Sequence, residues 1–462
     1  MPSVTLNRVE RGRYLDSVAL MRLSRRLAAL PGVEGASMMI GSPSNKALLR
    51  DAGLLAPEGD AATPNDIVIA VRAQDANAAR RALGLALELP SEKTQASLSR
   101  TTSLRGALDA LPGANFALIS VPGEFAAAEA RRALEAGLHA LVFSSGVPLE
   151  AERALKQLAA QKGLLLMGPD CGTALIAGTP LAFANAVPRG DIGIVSASGT
   201  GLQEVSCLIA RLGGGVSHGI GVGGRDLHEA VGALGTLAAI DALERDAATK
   251  TIVLISKPPA PKVAEQVLAC LSKSKKRSVV CFLGLEKPGL ARTLREAAEM
   301  AAGCEVPEEP FKQKKITGRV DALYCGGTLC SEAELIFRRQ GLEVGMRGHR
   351  FIDLGDDKYT RGRPHPMIDP EIRNDRLATA LADPLVGVVL VDIVLGYGAH
   401  RDPAGVLARE NLSRKTVVAS VVGTETDPQV RSLQVARLRE AGVLVAPSNA
   451  HAAQLAASLV RH

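Results

Sequence analysis

Tryptophan is absent from this 462-residue chain, and aromatic residues of all kinds make up 3% of it. Proteins that stack the bases of a single strand need aromatic platforms, so the composition argues against that kind of nucleic-acid binding. Cysteine is sparse: seven residues, an odd number, with no paired spacing. That argues for reduced thiols in the cytoplasm, against a disulfide framework. Cys325 and Cys330 are too isolated for a zinc site, and no metal is expected. No apolar run approaches a membrane span, and the opening "MPSVTLNRVERGRY" has no apolar signal region. Net charge is a mild +6 with basic residues scattered, and the one cluster, "KQKKITGR" at 312–319, reads as a solvated linker. Neither nucleic acid nor membrane is therefore an expected partner. Histidine is missing between His228 and His349.

What the chain has is apolar content, 47%, arranged in a repeating pattern. Short aliphatic runs end in small-residue loops and pass into Ala/Leu/Glu/Arg-rich helical stretches. The segments 115–137, 191–213, 250–271, 320–341 and 387–408 all show it. Continuous apolar strands alternating with helices predict parallel sheets covered on both faces. The fold class expected is α/β: several doubly wound parallel-sheet domains, Rossmann-like and flavodoxin-like, preceded by a small ferredoxin-like α/β domain. The boundaries drawn from composition place that small domain at 1–105, a Rossmann-like unit of nucleotide-binding type at 106–189 and a third unit at 190–304. The segment 305–318, "EVPEEPFKQKKITG", is the linker candidate before a last unit at 319–462.

In such sheets ligands bind beyond the carboxyl ends of the strands, where these glycine loops fall. "GDIGIVSASGTGLQEV" (190–205) is the clearest: Ser196, Ser198, Gly199 and Thr200 form a strand-to-helix turn without a charged side chain. Exposed N–H groups and a partial positive charge make a helix start an anion site. Ser198 or Thr200 could equally just cap the helix. Recurrence favours the anion, because Gly326-Gly327-Thr328 and Gly396-Tyr397-Gly398-Ala399 read as two more such turns. "GVGGRDL", with Gly223 and Gly224, is either a tight turn or a wall of the same cage.

These motifs, taken in order, carry a resemblance. "ALISVPGEFAAAEARRALEAGLHALVFSSGVP", Gly168-Pro169-Asp170-Cys171, "GDIGIVSASGTGLQEV" and "GIGVGG" are similar to the α subunit of succinyl-CoA synthetase. The carboxyl unit resembles the last domain of the β subunit in that superfamily. With "GSPSNKALLRDAGL" and "GRPHPMID" added, the chain resembles the FdrA group of acyl-CoA-synthetase-like proteins over nearly its whole length.

The resemblance implies a phosphate held between two helix starts, which match Ser198–Thr200 and Gly396–Ala399. The synthetases' phosphorylated histidine and the ATP-grasp domain have no match here, so no stable phosphohistidine is expected. Lys257 falls where the synthetases carry a glutamate and suits a bound anion; an exposed loop lysine is the alternative. His400 would donate to phosphate or act as acid/base, or line a helix start. Gly326, Gly327, Thr328, Arg361, Arg363 and His365 would hold a small carboxylate acceptor; for the last three, a surface loop paired with Asp356, Asp357 and Asp369 is the alternative. CoA is the one cofactor the resemblance brings in, though the glycine-rich front half of the synthetase CoA site is not recognisable. The function this implies is a subunit of a carbamoyl- or acyl-transfer enzyme that releases or forms phosphate. Oxamate carbamoyltransferase leads, in purine and allantoin catabolism: carbamoyl phosphate plus oxamate in exchange for oxalurate plus phosphate. The alternatives are an acyl-CoA synthetase subunit with a separate ATP-grasp partner, or a non-catalytic scaffold subunit. A homo- or hetero-oligomer is expected in each case.

Overall fold

The computed structural model describes residues 3–13, 15, 17–88, 101, 103–308, 311, 315–360 and 364–460. Contacts divide the chain into two units, Met1–Thr101 with Asp357–Pro364, and Thr102–Asp356 with His365–His462. In the first unit the strands Val4–Glu10, Ile67–Ala73 and Val33–Ile40 lie in that order, the middle one antiparallel to both neighbours. Helices Ser17–Ala28 and Ala76–Glu88 pack on them, the split β-α-β arrangement of a ferredoxin-like sheet. Asn7, buried on the first strand, accepts from Ala56 N–H at 2.7 Å and donates to Leu54 O at 2.8 Å. The loop it ties down would otherwise bury unpaired backbone groups.

The second unit holds three sheets. The smallest is parallel, Phe116–Ile119, His139–Val142 and Leu166–Met167. A six-stranded sheet runs Arg277–Phe282, Thr251–Ser256, Ile192–Ser196, Val216–Gly221, and its first four strands are parallel. The hairpin Thr173–Ile176/Thr179–Ala182, placed by the sequence pattern in the preceding unit, adds antiparallel to Val216–Gly221. The third sheet is fully parallel: Arg350–Asp353, Arg319–Tyr324, Val386–Val394, Thr416–Val422 and Leu444–Ala446. All nine residues of Val386–Val394 are buried, as expected for a strand with helices on both faces.

Counted in chain order, the third sheet is 2-1-3-4-5, and the parallel part of the six-stranded sheet is 2-1-3-4. Both follow the flavodoxin-like order, whose switch point lies beside the first strand. The helices leaving these first strands, Gly199–Arg211 and Gly327–Arg339, are both 13 residues long. Their sequences superpose: Gly199-Thr200 on Gly327-Thr328, and Glu204 on Glu332. One apolar core spans the two sheets, with Ile194 and Leu208 from one and Val320, Leu329 and Ala453 from the other.

The paired glutamates show how the halves lock. Glu204 accepts from Asn449 N–H at 2.9 Å, the first residue of helix Asn449–Val460 in the other half. Glu332 reciprocates, accepting from Leu294 N–H at 2.6 Å at the start of helix Leu294–Ala302, and from the Asn449 amide at 2.7 Å. Each half thus supplies a carboxyl to the first N–H of a helix in its neighbour. Burial pushes Glu332 up to about 7, against the pull of the Asn449 amide and Leu294 N–H, and burial raises Glu204 too. The folded protein therefore binds more protons than the unfolded chain between pH 4.5 and about 7. Stability is fullest below that window and falls as pH rises through it. We expect a urea midpoint lower at pH 8 than at pH 5, and a smaller difference in Glu332→Gln. An equal difference in the variant would remove Glu332 as a source.

Candidate functional site

The strand Ile192–Ser196 ends in a loop that organises itself. Buried Ser196 accepts from Ser198 N–H at 3.1 Å, and its hydroxyl donates to Ser198 O at 2.7 Å. Ser196 therefore shapes the turn and is not turned outward. Ser198 caps the helix by accepting from Gly201 N–H at 2.9 Å, and its hydroxyl donates to Thr328 Oγ1 at 2.6 Å. That bond joins the two superposable helix starts. Thr200 lies on the same contact, its Cβ 3.0 Å from where a Cβ on Gly326 would stand. Helix Gly327–Arg339 has no side-chain cap at Gly326. Its first N–H groups, like those of Gly199 and Thr200, have no acceptor within their own helix.

Here the structure corrects the expected pairing. Gly396–Ala399 opens no helix: the next one is Pro403–Leu407, five residues, capped by Asp402. Its polar backbone is also used internally. Gly396 N–H donates to Gln429 Oε1 at 3.0 Å, and Gln429 Nε2 donates to the carbonyls of Gly396 and His400 at 2.9 and 3.1 Å. Tyr397 N–H goes to Ala184 O, and a Cβ on Gly398 would strike the Phe183 ring. Gly396, Gly398, Ala399 and His400 thus form a packed loop, with His400 Nδ1 accepting from Asp402 N–H at 3.0 Å. The second helix start is Gly326-Gly327-Thr328, which the sequence assigned to the acceptor.

Lys257 follows the strand Thr251–Ser256 beside the first switch point and is exposed. Its Nζ lies 3.3 Å from the Cβ position of Gly327, which the carboxylate of Asp353 crowds as well. Burial raises Asp353 while the Lys257 ammonium pulls it back. A carboxylate and an ammonium thus both approach the uncapped helix start at Gly327. Sequence reasoning missed Asp353; its signal is the acidic residue ending an apolar strand in "FIDLGDD". It missed Asp392 too, a lone carboxylate in "VVLVDIV". Fully buried, Asp392 accepts from Cys325 and Gly326 N–H, both at 2.7 Å, and so fixes the turn beneath the helix.

Gly223 has φ +88°, and a Cβ there would come 2.5 Å from Pro169 O. Only glycine lets this turn lie against the Gly168–Pro169 turn. Gly224 is open on that side, 4.0 Å from Ala197 O. Behind the turn, buried Lys156 holds Asp226 at 2.5 Å and Val222 O at 2.7 Å. His365 is placed by Met367 N–H, which donates to its Nδ1 at 3.2 Å, and burial lowers its pKa to about 4. Arg361 and Arg363 lie outside the described residues. Among the described residues no group of three or more His, Cys, Asp or Glu could hold a metal ion, and no helix is long and apolar enough to cross a membrane.

Residues 323–459 match the CoA-ligase family and residues 3–103 match "AllF, heavy metal-associated domain". That amino-terminal stretch contains neither cysteine nor histidine, so thiolate and imidazole ligands for a heavy metal are missing from it. The α subunit 2 of an ADP-forming succinate–CoA ligase from Archaeoglobus fulgidus is 28% identical over 44% of this chain and 71% of its own length. A dinucleotide-forming acetyl-coenzyme A synthetase of Ca. Korarchaeum cryptofilum aligns structurally over 75% of this chain and 82% of its own, at 18% identity and a TM-score of 0.31. The Escherichia coli protein YahF, described as uncharacterized, is 40% identical over 97% of both chains. The chain belongs to the family of YahF, within the acyl-CoA-synthetase-like superfamily.

Proposed function

We propose that this chain is the acyl-phosphate-handling subunit of an acyl-CoA-ligase-type enzyme, working with a separate ATP-grasp partner. One observation carries the reading: two adjacent helix starts, one of them without a side-chain cap, at the switch points of two flavodoxin-like sheets, joined by the Ser198–Thr328 hydrogen bond. Each helix start contributes about 0.3–1 kcal/mol toward an anion, and up to about 2 when partly buried. Lys257 adds a full charge at the rim. The reaction supported is acyl phosphate plus CoA giving acyl-CoA plus phosphate. Phosphate is the leaving group, and fixed N–H dipoles stabilise the charge it gains. The match of 323–459 to the CoA-ligase family and the succinate–CoA ligase relatives favour this reading.

The second reading is carbamoyl transfer, with carbamoyl phosphate in the same cage and oxamate as acceptor. The absence of histidine between His228 and His349 favours it, since a phosphorylated substrate arriving free needs no protein carrier. Phosphate release measured with succinyl phosphate plus CoA, and with carbamoyl phosphate plus oxamate, separates the two. We expect release in the first pair, greater with an ATP-grasp partner present. Release in the second pair alone moves the assignment to carbamoyl transfer. Release in neither, with no binding of inorganic phosphate, leaves a scaffold subunit and defeats both.

A further inference from the structure

We infer that His365 donates a hydrogen bond from Nε2, as a neutral imidazole, to the carbonyl oxygen of the acyl or carbamoyl phosphate whose phosphate lies between the two helix starts. The inference rests on the cage reading above and adds to it how the rest of the substrate is recognised.

The ring has neighbours on the side of each helix start. On one side it lies 6.5 Å, centroid to centroid, from Phe183. The Phe183 carbonyl accepts the Thr173 hydroxyl at 2.7 Å, and that Oγ1 stands 3.0 Å from the Cβ position of Gly199. On the other side Nε2 lies 2.7 Å from the Cβ position of Gly355, a point 3.2 Å from Asp353 Oδ1. The other oxygen of Asp353 faces Gly327. His365 therefore sits at the carboxyl ends of the strands Arg319–Tyr324 and Arg350–Asp353, across from the hairpin that backs Gly199.

Its chemistry is set by one backbone group. Met367 N–H can only donate, so Nδ1 must be the acceptor and the single proton of the neutral ring resides on Nε2. Burial keeps the ring neutral at pH 7. Among the described residues Nε2 has no hydrogen-bond partner, and the residue is only partly buried. Its N–H is therefore free to donate to an acceptor on a bound molecule. A neutral donor adds no charge toward a phosphate dianion, for which Lys257 and the helix starts suffice. It matches an uncharged carbonyl oxygen next to the phosphate. No proton is transferred in this role.

The test compares a ligand lacking the carbonyl with one that has it. Calorimetry on the full chain, wild type and His365→Ala, uses inorganic phosphate and acetyl phosphate as probes. We expect the phosphate affinity to change less than about twofold and the acetyl phosphate affinity to fall about tenfold. His365→Gln, which keeps an N–H donor, should restore part of that loss. Equal losses for both probes would show a packing role and overturn the inference, as would no loss for either. Wild-type protein that binds neither probe overturns the cage reading and this inference together. A separate readout needs no ligand: 15N-histidine spectra at pH 7 should show a neutral Nε2–H tautomer for His365. An imidazolium or an Nδ1–H tautomer there would overturn the assignment whatever the calorimetry gives.

Discussion

Replacing Asp392 with alanine should lower the unfolding free energy by about 3–5 kcal/mol, because it leaves two buried N–H groups unpaired and a nearby buried guanidinium without an opposite charge. Asp392 is 0% exposed and Arg373 1% exposed. Burial raises the Asp392 pKa, with Arg373 and the N–H groups of Cys325 and Gly326 pulling it back. Arg373 NH1 donates to the Asp392 backbone carbonyl at 2.5 Å, and its Nε and NH2 have no hydrogen-bond partner. The carboxylate is the acceptor for two turn N–H groups and lies within coulombic influence of a guanidinium that cannot deprotonate. Alanine strands all three. Pairing Asp392→Ala with Arg373→Met should recover part of the loss, because the double variant no longer buries an uncompensated charge. Urea unfolding of the four proteins checks this cycle. A single-variant loss below about 1 kcal/mol, or a double variant as unstable as the sum, would contradict it.

Asp392 also shows which parts of the site the sequence makes legible. Strand-to-helix turns announce themselves locally: an apolar run, then Ser198-Gly199-Thr200 or Gly326-Gly327-Thr328, then a helical period. The α/β class and the parallel sheets follow from that pattern, as does Lys257 at a strand end. Which two turns meet is a tertiary fact. Gly396-Tyr397-Gly398 has the same glycine spacing, but its glycines serve close packing against Ala184 and Phe183. A glycine cleared for a ligand and one cleared for a neighbouring backbone look alike in sequence. The internal superposition of Gly199-Thr200…Glu204 on Gly327-Thr328…Glu332 was readable, and it identifies the true partner of the first turn. Arg361 and Arg363, read as carboxylate binders, fall outside the described residues. The reach of Asp353 and His365 to the helix starts depends on how the strand ends fan out, which spacing does not encode.

Gly327→Val should cost the protein about thirtyfold or more in affinity for inorganic phosphate, roughly 2 kcal/mol, the upper share of a partly buried helix start. At this position a Cβ already meets the Asp353 carboxylate and comes 3.3 Å from Lys257 Nζ. Valine therefore fills the space between the ammonium and the open N–H groups, and close approach of an anion is lost. The fold should tolerate the change. The Asp353 side chain must rotate from the Gly355 N–H that it accepts at 3.0 Å, a cost offset in part because valine has higher helix propensity than glycine. Gly199→Val tests the other wall: its Cβ would stand 3.0 Å from Thr173 Oγ1, and the two helices should share the loss. Lys257→Ala removes an exposed charge, so its smaller effect should fade as salt is raised, whereas the valine effects persist. Calorimetry with phosphate at two salt concentrations, beside urea unfolding, measures all three variants. Wild-type affinity in both valine variants, with normal unfolding, would mean that the paired turns only cap their own helices.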